Sequence, residues 1–356
     1  MRGREELVLR CAQRRAKELG GLSKEGYQEL LLAVRSDVDS FVSTASERAF
    51  ARLVSALERY EADGEDDDLL DDDEYLKARK RRFDALELAC KAALEEDPGC
   101  LDARLVRVLV ADMDAPELLD ALLKLDAENA ERIREHAEAG RARRAARGSE
   151  GPEGVGVGTE GVAPDEAEGD AGAPDAWDDV GLRPALRVRA AAARACINTT
   201  HFRLARDLCS TLLDAAPSDC LGARHTLEIV CARLEDEPAF DELQARFSHA
   251  GSAWSHLMHA LLLYKLDRMG AARRALQGYS TLCEGGAFAL LRPAFVDSYL
   301  PDRPEAAPNS FAESMMAVAE ADPVIVDAPD FVAWAQSQPG IVESARRFAD
   351  ERGYDW

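Results

Sequence analysis

The feature that most limits how this chain can fold is an internal repeat. The run from Phe83 to Arg104 (FDALELACKAALEEDPGCLDAR) returns as Phe202 to Arg224 (FRLARDLCSTLLDAAPSDCLGAR) with one residue inserted. Each copy has a phenylalanine, a cysteine seven residues on, a proline eight residues after that, and then the string Cys-Leu-x-Ala-Arg. Helix, proline-punctuated turn and second helix form the unit of a helical array, whose members bury apolar faces on their neighbours and so build an extended surface.

Helical periodicity continues outside the repeat and strand-like alternation is missing, so the sequence predicts an all-α fold. Residues 1–62 read as an N-terminal helical cap or bundle of three segments, the third running from about Asp37 to Tyr60. An acidic loop follows over 63–74. Residues 75–147 form a first helical unit in which Pro98 ends one helix, Leu101 to Val110 makes the next, and Pro116 opens a third that runs to about Arg147. From 148 to 176 the chain is rich in Gly, Pro and acids and nearly free of large apolar residues. Burial there cannot offset the entropy of ordering, so this stretch reads as a long disordered acidic linker. The remainder, 177–356, reads as a second array, with helices at Pro184 to Asn198, Phe202 to Leu213, Cys220 to Leu234, Pro238 to Phe247, Trp254 to Leu266 and Ala271 to Leu282.

The formal charge of −23 is local. Glu61 to Glu74 carries ten acids and no base, and Gly148 to Asp179 carries another ten with no base. The rest of the chain is therefore close to neutral, which argues against a nucleic-acid surface, since that needs a concentrated basic stripe. The one basic cluster, Arg141, Arg143, Arg144 and Arg147, suits the carbonyl end of a helix. Between Met1 and Gly20, Arg2, Arg4, Glu5, Glu6, Arg10, Arg14, Arg15 and Lys17 leave no apolar run for a secretory signal, and the longest apolar stretch elsewhere, Leu257 to Leu266, is about half a bilayer span, so the expectation is a cytoplasmic protein with no membrane partner.

Chemical motifs are few. Cys196, His201, Cys209, Cys220, His225 and Cys231 cluster in sequence, but none forms the close Cys-x-x-Cys pair of a zinc site, and the spacing of the thiols suits small core residues. His256 and His259 sit one turn apart without a carboxylate partner. No nucleophile elbow, phosphate loop, metalloprotease helix or paired carboxylate in an apolar setting occurs. The sequence thus assigns no catalytic residue, no metal and no cofactor, and the reading is that the protein is not an enzyme.

Counting back from Pro217 gives Leu212, Cys209, Ala205, Phe202 and Cys196, and Pro98, Ala93, Cys90, Leu86 and Phe83 repeat most of that spacing. These are the positions at which a tetratricopeptide unit packs two antiparallel helices. The string from Trp177 to Pro184 with Arg187 to Ala190, the Phe202 to Ala205 unit, Pro217 to Arg224, Ala253-Trp254 with Ala260-Leu261, Gly270 to Leu276 and Trp334 to Gly340 make the likeness more specific. Over roughly Phe83 to Gly340 the chain resembles bacterial tetratricopeptide proteins related to the suppressor-of-tumorigenicity-seven family. The resemblance implies a tetratricopeptide-like helical-hairpin array, an α-α superhelix, and no assigned reaction. It departs from the family at the acidic linker, at Ala216 to Cys220, and in lacking a membrane segment.

An array of this type binds a peptide or protein in a concave groove. The helices from Pro184 to Asn198 and from Trp254 to Leu266 are the ones expected to face it, offering Arg187, Arg194, Asn198, His256 and Tyr264 as exposed binding residues. The functional expectation is a non-enzymatic scaffold for a protein or peptide partner, the alternative being an enzyme or a small-ligand regulator on the same frame. An open groove favours the first, and a pocket closing over buried charges favours the second. The acidic linker is read either as a competitor for that groove or as a spacer. Partner identity and oligomeric state stay open.

Overall fold

A computed structural model describes residues 2–64, 67, 70–149 and 175–356. The acidic linker proposed from sequence lies almost wholly outside these residues. The described residues are predominantly helical and contain no strand. Seventeen α-helices are present among them: α1 (Arg2–Glu18), α2 (Lys24–Ser36), α3 (Ala45–Ala62), α4 (Asp72–Glu96), α5 (Leu101–Val110), α6 (Ala115–Ala127), α7 (Ala130–Ser149), α8 (Arg183–Asn198) and α9 (Phe202–Ala215). There follow α10 (Ala223–Leu234), α11 (Glu237–Arg246), α12 (Ala253–Lys265), α13 (Met269–Leu282), α14 (Gly286–Leu291), α15 (Phe311–Val326), α16 (Asp330–Ser337) and α17 (Ile341–Arg352). None is long and apolar enough to cross a membrane.

The chain divides into two compact units that do not follow sequence order. The described residues within 1–112, 124–188 and 211–220 form the first, and residues 113–123, 189–210 and 221–356 form the second.

In the first unit, Leu7, Val8, Cys11 and Ala12 of α1 pack with Val34 of α2, Val38 of the following turn, and Phe50 and Val54 of α3. The third helix begins at Ala45 and not near Asp37, because Val38–Phe41 closes as a 3-10 turn and Thr44 then caps α3. Thr44 Oγ1 accepts from Glu47 N (3.1 Å), and Glu47 accepts from Thr44 N (3.1 Å), which is a complete capping box. Asp71 caps α4 by accepting from Glu74 N (2.8 Å), so part of the acidic loop serves the helix start. Another part binds Arg82, whose guanidinium donates to both oxygens of Asp67 (2.7 and 2.5 Å). The helix expected from Pro116 to Arg147 is broken into α6 and α7. Asn129, a residue type that favours N-caps, stands just before Ala130, and its N–H donates to the Asp126 carbonyl (3.1 Å). Among the basic cluster, Arg141 pairs with Asp214 (3.1 Å), and the side chains of Arg143, Arg144 and Arg147 lie outside the description.

The second unit is organised around α12, which packs against α10, α13 and α15. Ala253, Trp254, Leu257, Met258, Ala260, Leu261, Leu262 and Leu263 are all buried. A helix that is apolar nearly all round is a core helix. The helix expected to start at Cys220 starts at Ala223, because Asp219 (φ 52°) and Gly222 (φ 66°) take the left-handed conformation that ends the preceding turn. At Gly285 (φ 60°) a Cβ would lie 2.5 Å from the Phe311 ring and 2.7 Å from that of Phe348, so the close packing of α14 on α15 and α17 requires glycine.

Candidate functional site

α8 opens at Arg183 with Pro184 in its first turn, where a missing N–H costs nothing. It thereby sets Arg183 and Arg187 one turn apart on one face, as α1 sets Glu6 and Arg10. Arg187 donates to Glu6 Oε2 (2.5 Å), Glu6 Oε1 (3.2 Å) and Asp102 Oδ1 (3.1 Å). Arg10 Nη2 reaches the same two carboxylates, at 2.6 Å to Glu6 and 2.7 Å to Asp102. Arg183 stands 3.8 Å from Glu6, donates to the Trp177 carbonyl (2.7 Å) and lies 4.8 Å from the centre of that indole. Three guanidiniums thus meet two carboxylates, with Glu6 and Asp102 each 2% exposed. Burial alone would raise the Glu6 pKa, but Arg187 and then Arg10 outweigh it and hold the carboxyl below its ordinary 4.5.

Arg10 and Asp102 also line an open cleft of about 780 Å³ within this unit. Its walls come from Arg14, Lys17 and Glu18 of α1, Thr44 to Glu47 at the start of α3, Gly99 to Arg104 at the start of α5, Glu128 to Arg132 around the start of α7, and Val180 to Ala185 at the start of α8. The volume is in the range of ordinary ligand sites. Most of the wall charges are paired: Arg14 Nε with Glu47 at 2.6 Å, and Arg104 with both oxygens of Glu128 at 2.6 Å each.

In the second unit a buried polar network runs beside α12. Arg303 donates from Nε and Nη2 to the two oxygens of Glu320 (2.7 Å each), from Nη1 to the carbonyls of Leu221 (3.1 Å) and Gly222 (2.8 Å), and from Nη2 to Thr226 (3.3 Å). A Cβ at Gly222 would stand 2.2 Å from Arg303 Nη1, so glycine makes room for the guanidinium. Arg303 lies 5.1 Å from the centre of the Trp254 ring, whose other neighbour is the His225 imidazole at 4.3 Å. Ser252, His225, Glu228 and Ser255 gather there in a combination that suggests a hydrolytic relay. The geometry does not make one. Ser252 Oγ and Glu228 Oε2 both face the same imidazole nitrogen, Nδ1, each at 3.4 Å, whereas a relay needs nucleophile and orienting carboxylate on opposite nitrogens. Glu228 is held instead by Gln244 (2.7 Å) and Ser255 (2.8 Å).

The five residues proposed from sequence are not brought together. Arg187 is 4% exposed and belongs to the ion network of the first unit; two acids from α1 and α5 draw it inward, so it cannot stand on an exposed groove. The other four lie in the second unit. Arg194 is partly buried, donating to the Pro301 carbonyl (3.3 Å) with its guanidinium 5.4 Å from the centre of the Tyr299 ring. Asn198 is exposed at the end of α8. His256 is half-buried on α12 against Gly251, and burial pushes its pKa down. Tyr264 is covered by Phe331 (5.2 Å) and Trp334 (4.9 Å). The sequence reading overlooked Glu6, Arg10, Asp102, Arg303 and Glu320.

Among the described residues no group of three or more His, Cys, Asp and Glu side chains is placed to hold a metal. Seven of the eight cysteines are buried and Cys220 is exposed. Burial raises the thiol pKa to about 11 at Cys11, Cys100 and Cys196 and to about 12 at Cys90, Cys231 and Cys283. A thiolate-specific reagent is therefore expected to label Cys220 rapidly in the native protein and the others only on unfolding, as read by mass spectrometry of digests. Rapid labelling of Cys90 would contradict this packing.

No protein-family profile, characterised protein or solved structure matches this chain.

Proposed function

We propose that this protein is a binding module, a tetratricopeptide-like helical array of the kind that the sequence resembles, which holds a peptide or protein partner and carries out no reaction on it. The observation that carries this reading is the open cleft of the first unit. Asp102 in its wall is already neutralised, together with Glu6, by hydrogen bonds from Arg10 and Arg187. Groups bound to one another in this way hold the shape of the recess. An enzyme remains the second reading, and the Ser252, His225 and Glu228 grouping is its best support, weakened by the shared nitrogen.

This reading moves the binding surface from the helices carrying Arg187, Arg194, Asn198, His256 and Tyr264 to the walls of the cleft. Peptide-display selection on the full chain, followed by hydrogen exchange with and without the selected peptide, tests it. Slowed exchange around Gly99 to Arg104 and Glu128 to Arg132 is the expected outcome. Protection confined to α8 beyond Arg194 and to α12 would restore the surface read from sequence.

A further inference from the structure

We infer that the cleft of the first unit takes an acidic peptide segment, an inference that rests on reading the cleft as the binding site. The chain as a whole has 67 acidic and 44 basic residues. The cleft inverts that balance: Arg10, Arg14, Lys17, Arg104 and Arg132 line it against Glu18, Glu47, Asp102 and Glu128.

The pairing within the cleft sharpens the asymmetry. Its acids are largely engaged. Glu47 accepts from Arg14 and from the backbone N–H groups of Ser43 (3.0 Å) and Thr44 (3.1 Å), Asp102 is shared by Arg10 and Arg187, and Glu128 is gripped by Arg104. Its cations are not all engaged. Among the described residues Lys17, which is exposed, has no carboxylate within ion-pair distance, and Arg132, also exposed, reaches Asp179 only at 3.7 Å. The starts of α5 and α8 open into the same space and add the positive ends of two helices. What the walls leave unanswered is therefore positive charge. The exposed pairs Arg14 with Glu18 and Arg104 with Glu128 are weak enough to exchange one carboxylate for another. Side-chain carboxylates on an extended peptide satisfy Lys17 and Arg132 without displacing the buried bonds among Glu6, Asp102 and Arg187.

The test is fluorescence anisotropy of the full chain with three labelled peptides of one length: rich in Asp and Glu, rich in Lys, and Ser/Gly neutral. The acidic peptide is expected to bind best, with affinity falling as salt rises. The double variant Lys17→Glu with Arg132→Glu is expected to weaken it about tenfold. Lys80→Glu with Arg81→Glu makes the same change of net charge on the exposed side of α4 and should stay within about twofold. Far-ultraviolet circular dichroism establishes that both variants are folded. Equal losses in the two doubles would overturn the inference, since the whole protein's field would then account for the binding. Preference for the neutral or Lys-rich peptide, abolished by the cleft variant, would overturn the acidic assignment and leave the binding-module reading standing. If none of the three binds, both fall.

Discussion

Replacing Arg187 by leucine is expected to lower the stability of the first unit by about 3 kcal/mol, read as the urea midpoint at neutral pH. The guanidinium is the hub between Glu6 and Asp102, and its removal leaves two carboxylates, each 2% exposed, with fewer donors than lone pairs. Loss of one partner from a buried ion group typically costs about 3–5 kcal/mol, and the lower end applies because Arg10 still reaches both acids. The double variant Glu6→Gln with Arg187→Met should recover part of the loss, since it removes charge of both signs together. A cost below about 1 kcal/mol for the single variant would mean that the network contributes little.

The same variant carries a pH signature. In the native protein Glu6 is held below its ordinary 4.5, so its contribution is present above that pH and is lost as the pH falls through the lowered native value. Without Arg187, burial is opposed only by Arg10 and the more distant Arg183, and the Glu6 pKa moves up. The deficit of the variant is then largest at neutral pH and shrinks on acidification, as Glu6 becomes protonated in both proteins. Midpoints measured from neutral pH downwards check the sign: a deficit that grows in acid contradicts the assignment.

The all-helical class was legible because helix formation is local. Pro98 and Pro217 mark turns, and Leu86, Cys90 and Ala93 in one copy and Ala205, Cys209 and Leu212 in the other are all buried, as the repeat spacing demands. The buried arginines were not legible, because their partners are remote in sequence. Arg187 meets Asp102 across 85 positions, and Arg303 meets Gly222 across 81. Yet a signal existed. Asp102 and Gly222 are the variable residue of Cys-Leu-x-Ala-Arg in the two copies, and each lies against a buried guanidinium, accepted by a carboxylate in the first and by backbone carbonyls in the second. Periodicity reports which face is apolar and says nothing about which distant cation arrives there. The reading of α12 as a groove wall failed for a different reason. His256 and Tyr264 stand in a stretch, AWSHLMHALLLYK, that is apolar nearly all round, and such a helix seeks the centre of its unit.

The second large effect is expected at Glu320. Glu320→Gln should cost about 3–5 kcal/mol in the second unit, because Glu320 is the carboxylate that Arg303 grips with two bonds and that Tyr299 contacts through its hydroxyl (2.7 Å). Arg194 stands close enough to repel Arg303, and the attraction of Glu320 and Asp302 does not offset burial and that repulsion. Burial first, and Arg303 second, push its pKa below the ordinary 12.5. A cation held in that way strains the structure that holds it, so Arg194→Met is expected to leave stability unchanged or to raise it by about 1 kcal/mol. Combined with Glu320→Gln, it should recover part of the loss, since only one guanidinium then lacks its acid. Urea midpoints of the two single variants and the double complete the cycle. Destabilisation by Arg194→Met of more than about 2 kcal/mol would show instead that its bond to the Pro301 carbonyl is what secures the segment from Tyr299 to Arg303. If the variant is as stable as the native chain and still loses a peptide that the cleft variants retain, Arg194 is a binding residue kept at the expense of stability, and the surface read from sequence would regain its place beside the cleft.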